Sequence, residues 1–172
     1  MLHNPELLRL NFGVFVLHAT QAALLVAMPR MLVAARLPVA QHWAIYLPVM
    51  GLSFVAMVPA IIAAEKRGKM KVVLLSAIAL VAAALGGLPP TVSVIACVLF
   101  VYFMGFNVLE ASQPSLASKL APAQRKGAAV GVYNTTQALG LFCGGAIGGF
   151  LMTHYGQNAI FLTCSAGALG GL

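Results

Sequence analysis

The run Glu65-Lys66-Arg67-Gly68-Lys69-Met70-Lys71 most limits what this chain can fold into. It stands between two apolar stretches, each long enough to cross a bilayer. Four of the ten Lys and Arg residues fall within it. A charge at the bilayer centre costs about 2.5–3.5 kcal/mol even on the mildest scale. The run therefore has to be a tight turn in water, and the segments on either side are separate spans. Short basic loops stay on the cytoplasmic side of a membrane, so this turn also gives the chain a direction.

Composition agrees. Charged residues make up 8% of the 172 and the mean hydropathy is +0.96, whereas a soluble domain carries about 25% charged residues. The net charge of +7 comes from short loops between apolar runs. It forms no continuous basic face with interleaved aromatics, so nucleic acid is not an expected partner. Cys97, Cys143 and Cys164 each lie inside an apolar segment, where a thiol behaves as a small hydrophobe. No Cys-x-x-Cys pair, metal-ligand spacing, Gly-x-Ser-x-Gly elbow or phosphate loop occurs. Neither an enzyme nor a metal or cofactor site is expected. The first apolar run is too long for a signal-peptide core and reads as a mature span.

The apolar runs predict an all-α membrane protein, a six-transmembrane-helix bundle, with spans near 7–32, 42–64, 70–88, 92–117, 127–152 and 158–172. The last is short for a span, which needs about 20 residues, and reads as truncated. Asn4-Pro5-Glu6 looks like a helix start. The first loop is expected over 30–41, with Pro29 and Pro38 at its margins. Pro48 and Pro59 should kink the second span, and Trp43 and Tyr46 suit an interfacial aromatic belt. The third span has no polar stripe and is expected at the periphery. With the amino end inside, eight Lys and Arg fall on inner loops and two, Arg30 and Arg36, outside. That asymmetry supports both the direction and the span count.

Glu110 is the sharpest functional candidate, being the sole acid within a span. It precedes Lys119 by nine residues, about 13 Å along a helix. Burial there disfavours the charged carboxylate, which suits a group that takes up and releases a proton. The bland alternative is a Glu held by Asn107, one turn earlier, or by a helix outside this chain. Asn11, His18 and Gln21 share one face of the first span and are expected against protein or a cavity, not lipid. A lone helical His is ordinarily a packing residue, which is the favoured reading of His18. Asn107 and Gln113 lie in the polar half of the fourth span. Tyr133 and Gln137 share a stripe with Gly140, Gly144 and Gly148 on the fifth. The glycines read as close helix packing. Tyr133, Asn134 and Gln137 are candidates to line a cavity, with hydrogen bonding between helices nearly as good a reading.

The basic turn resembles a signature of the major facilitator superfamily, Gly-x-x-x-Asp-[Arg/Lys]-x-Gly-[Arg/Lys]-[Arg/Lys]. That signature follows the second span and recurs in degenerate form after the eighth. Glu65-Lys66-Arg67-Gly68-Lys69 is similar to the second copy, with Glu for Asp, Ile61 for the leading Gly and Met70 for the last basic residue. Asn107-Val108-Leu109-Glu110-Ala111, Pro114-Ser115-Leu116 and Lys126-Gly127-Ala128-Ala129-Val130-Gly131-Val132-Tyr133 resemble the tenth and eleventh spans of proton-driven efflux members. Glu6 to Gly13, with His42, Trp43 and Tyr46, are similar to the seventh and eighth.

The resemblance implies the C-terminal six-span half of a twelve-span fold with a 3+3 inverted repeat, in the inner (plasma) membrane. It implies secondary transport by alternating access, exporting small molecules or drugs against protons. The missing partner would be an N-terminal six-span half, without which this chain is expected to be inactive. Glu65, Lys66, Arg67, Gly68 and Lys69 would form a gating loop. Asn11, His18, Gln21, Asn107 and Glu110 would face the cavity. The alternative from another class is a self-contained six-span membrane protein that dimerises as a channel or scaffold.

Overall fold

The computed structural model describes residues 5–66 and 91–170. Among them every regular element is helical: α1 (Pro5–Ala34), α2 (Trp43–Lys66), α3 (Val92–Leu120), α4 (Lys126–His154) and α5 (Gln157–Gly170). Short 3-10 turns at Val39–Gln41 and Ala123–Arg125 precede α2 and α4. Among the described residues four helical segments are long and apolar enough to cross a membrane. The expected third span at 70–88 lies outside the described residues, as do Arg67, Gly68 and Lys69 of the basic turn. Glu65 and Lys66 end α2.

The first loop is shorter than the sequence suggests. α1 continues through Pro29 to Ala34, because the turn after the proline is held by packing: Met31 and Leu32 are buried in the core. Its end is made by Arg36, whose φ of 64° is left-handed. The Leu37 N–H donates to the Leu32 carbonyl and the Arg36 N–H to the Val33 carbonyl, both at 2.9 Å. Leu37 packs against the core beside them. This is the hydrogen-bond pattern in which glycine usually stands. An Arg there gives up about 1–2 kcal/mol. The α3 start is conventional, with Thr91 Oγ1 accepting from the Val94 N–H.

α1 is the central rod. It lies along α4 over much of its length and also touches α3 and α5, while α2 packs on α3. The main core joins Leu24, Met28 and Leu32 of α1, Leu99, Tyr102 and Phe106 of α3, and Ile160 of α5. Water expulsion does not drive such packing within lipid, so small residues that let backbones approach matter more. Gly140, Gly144 and Gly148 supply them. A Cβ on Gly140 would stand 2.6 Å from the Phe15 carbonyl oxygen, and one on Gly148 2.7 Å from Ala23 Cα. On Gly144 it would collide with the backbone of Ala19. Gly145 and Gly149, on the adjacent face, look onto open space. The outward faces are greasy: Phe142 is 74% exposed, Val55 70% and Leu162 72%. Such surfaces suit lipid or another membrane helix.

Candidate functional site

A polar cluster forms where α1, α3 and α4 meet. Glu110 Oε2 lies 2.9 Å from His18 Nε2, and Gln137 Nε2 donates to Glu110 Oε1 at 3.2 Å. The three side chains come from positions of similar depth. At about 1.5 Å per residue each lies roughly 15–20 Å along its helix from the end marked by Pro5, Leu120 and Lys126. That end also carries exposed Arg9, Lys119, Arg125 and Lys126, and is called the basic end below.

His18 Nδ1 stands 2.8 Å from the Val14 carbonyl oxygen. A carbonyl can only accept, so the network assigns the hydrogen to Nδ1. In a neutral ring Nε2 is then a bare lone pair. It faces a carboxylate oxygen at ion-pair distance. Two lone pairs do not meet this way in a dry setting, so one proton belongs to the pair, on Nε2 or on the carboxyl. The angles at the two atoms fall short of a regular hydrogen bond, and neither has another partner. His18 is 1% exposed and the Glu110 side chain 34%. The His is thus sealed in protein while the acid keeps one open side. Phe106 holds the imidazole edge-to-face, with ring centroids 5.6 Å apart. Gly140 allows the close approach, for a Cβ there would lie 3.1 Å from His18 Cβ.

The other sequence candidates divide. Tyr133 is buried, its hydroxyl makes no regular hydrogen bond, and it stands on α4 one turn before Gln137. Gln113, one turn beyond Glu110, is buried with Oε1 unsatisfied. Asn107 does not hold Glu110. Its Nδ2 donates to Ser53 Oγ at 3.0 Å, and Ser53 donates to the Met50 carbonyl at 2.8 Å. This ties α2 to α3 away from the cluster. Asn134 follows Tyr133 and is turned by about 100° to the exposed side of α4. Asn11 and Gln21 are half-buried on α1 on either side of His18 along the helix.

Sequence reasoning passed over Ser53, which is fully buried. A signal was present, for it is the one hydroxyl in the apolar run from Leu47 to Ala64. An apolar cavity of about 150 Å³ opens between α1, α4 and α5, beside Ala19, Thr20, Gly144 and Cys164. It takes in none of the residues of the polar cluster. Among the described residues no group of three His, Cys, Asp or Glu could hold a metal ion.

The Major Facilitator Superfamily profile matches residues 10–172, and this chain belongs to that family of multi-pass membrane proteins. It is 39% identical over 172 residues to the inner membrane transport protein YajR of Escherichia coli K12, covering 98% of this chain and 37% of YajR. A 58-residue stretch is 41% identical to an uncharacterized transporter of Buchnera aphidicola, covering 33% of this chain and 15% of that protein. The chain thus spans well under half the length of either relative.

Proposed function

We propose that this chain is the C-terminal six-span half of a proton-coupled transporter of the inner membrane, exporting small molecules or drugs by alternating access. An N-terminal six-span half would complete the cavity, and the six spans here would form a 3+3 inverted repeat with Glu65 to Lys69 as a gating loop. The observation that carries the proton coupling is the 2.9 Å contact of His18 with Glu110 across α1 and α3. With its proton the pair is attractive, a charge-assisted contact of about 1.5–3 kcal/mol. Without it, the carboxylate faces a lone pair and the contact turns repulsive. Protonation therefore biases how α1 sits against α3. In alternating access one repeat or bundle rocks against the other around a midplane site, and α1 and α3 would belong to different repeats of the 3+3 pair. The proton's arrival and departure would then favour different states.

The test is pH-gradient-driven transport by the full-length protein in vesicles. Glu110→Gln removes the exchangeable proton but keeps shape and hydrogen bonding to Gln137. Transport should lose its dependence on the pH gradient while expression stays intact. Unchanged pH dependence would remove Glu110 and its partner from the mechanism.

A further inference from the structure

We infer that Tyr133 is the gate through which the His18–Glu110 pair exchanges its proton with the basic end of the bundle; the inference rests on reading that pair as the proton site. Between the pair and the basic end lies an apolar layer. Val14 of α1, Ala117 of α3 and the ring of Tyr133 from α4 pack together at 0%, 1% and 2% exposure, with Leu10 against them. Each lies closer to the basic end than the cluster member on its own helix: Leu10 and Val14 before His18, Ala117 after Glu110, and Tyr133 before Gln137. The layer comes from the same three helices as the cluster, so it closes the cluster on that side.

Within that layer Tyr133 supplies the polar atom. Its hydroxyl is buried and makes no regular hydrogen bond, and Tyr133 stands one turn before Gln137, whose amide donates to Glu110. A purely packing role would be met by phenylalanine, without the cost of burying a hydroxyl. A hydroxyl both donates and accepts, so it can hand a proton to the carboxylate on one side while taking one from water on the other. The titratable groups on the packed elements are His18 from α1 and Glu110 from α3. Arg9, Lys119, Arg125 and Lys126 are exposed nearer the basic end and are not part of the layer. A rotation of the ring about its Cα–Cβ bond would open the layer to water without moving the helices.

The experiment uses the full-length protein in oriented vesicles. The infrared carboxyl band assigned by Glu110→Gln is followed after a pH jump on one side. Its titration with pH reports whether the pair holds a proton; its rate of change reports the gate. Tyr133→Phe keeps the ring and the packing but removes the hydroxyl. It should slow exchange from the basic end about a hundredfold, the lower end of what a positioned proton-transfer group contributes, and leave exchange from the opposite end alone. Tyr133→Ala opens the layer and should speed basic-end exchange. A titrating band whose basic-end rate is the same in wild type and Tyr133→Phe overturns the gate and leaves the proton site standing. A Glu110 band that does not titrate overturns both.

Discussion

Replacing Gly144 with alanine tests the closeness of α1 and α4, on which the geometry of the cluster depends. A Cβ built on Gly144 would stand 2.5 Å from Ala19 Cα, and ordinary contact begins at 3.4 Å. The obstacle is backbone, so no side-chain rotation relieves it. The helices must part by about 1 Å, and overpacking of this kind typically costs about 1–3 kcal/mol. Gly145 is the built-in control, since a Cβ there meets nothing within 4 Å. Alanine at 145 should be neutral or better, because glycine is a poorer helix former by about 0.8–1.0 kcal/mol. The assay is thermal unfolding of purified protein in detergent, scored by the loss of monodisperse material. Gly144→Ala should melt several degrees below wild type, at about 2–4 °C per kcal/mol for a chain of this size. Gly145→Ala should melt at or above it. Ala19 adjoins His18, so the same displacement would also shift the imidazole relative to Glu110, which it meets at 2.9 Å. Equal melting of the two variants would refute the claim that the glycine stripe sets the spacing of these helices.

Two further changes probe features the main site does not use. Ser53→Ala, Asn107→Leu and their combination form a double-mutant cycle whose coupling should be about 0.6–1.7 kcal/mol, the range for hydrogen bonds between membrane helices; additive effects on melting would mean that the Asn107–Ser53 contact does not hold α2 to α3. Arg36→Gly removes a side chain from a left-handed φ of 64° and should stabilise by about 1 kcal/mol, read as a higher melting temperature; a lower one would mean that the Arg side chain contributes more than its backbone strain costs.

Much of the helical layout can be read from the sequence because lipid imposes it. The apolar run from Leu7 to Leu32 had to be helix, since a bilayer offers its backbone no other hydrogen-bond partner. Its far end was harder to read. Pro29 signals a stop in solution, but the buried turn at Met31 and Leu32 carries the helix past it. Glu110 stands out in the sequence because an acid among apolar residues is costly. Its neighbours do not. Periodicity says that His18 shares a face with Asn11 and Gln21, but not which helix that face meets. His18 and Glu110 are brought together by packing between distant segments, and so are Glu110 and Gln137. Asn107 shows the same limit: it lies one turn from Glu110 on α3, yet its amide turns to Ser53 on α2. Tyr133 and Asn134 are adjacent in sequence and fall on opposite kinds of surface, one buried and one exposed.

In the proposed mechanism His18 and Glu110 share one exchangeable proton while His18 Nδ1 keeps its own. Nitrogen-15 solid-state NMR of labelled imidazoles in lipid measures this directly, with the His18 signals assigned by their loss in His18→Gln. The expected result is a protonated Nδ1 at every pH studied and an Nε2 whose signal moves with pH in wild type but differently in Glu110→Gln. A bare Nδ1, or an Nε2 that titrates identically with and without the Glu110 carboxyl, would contradict it.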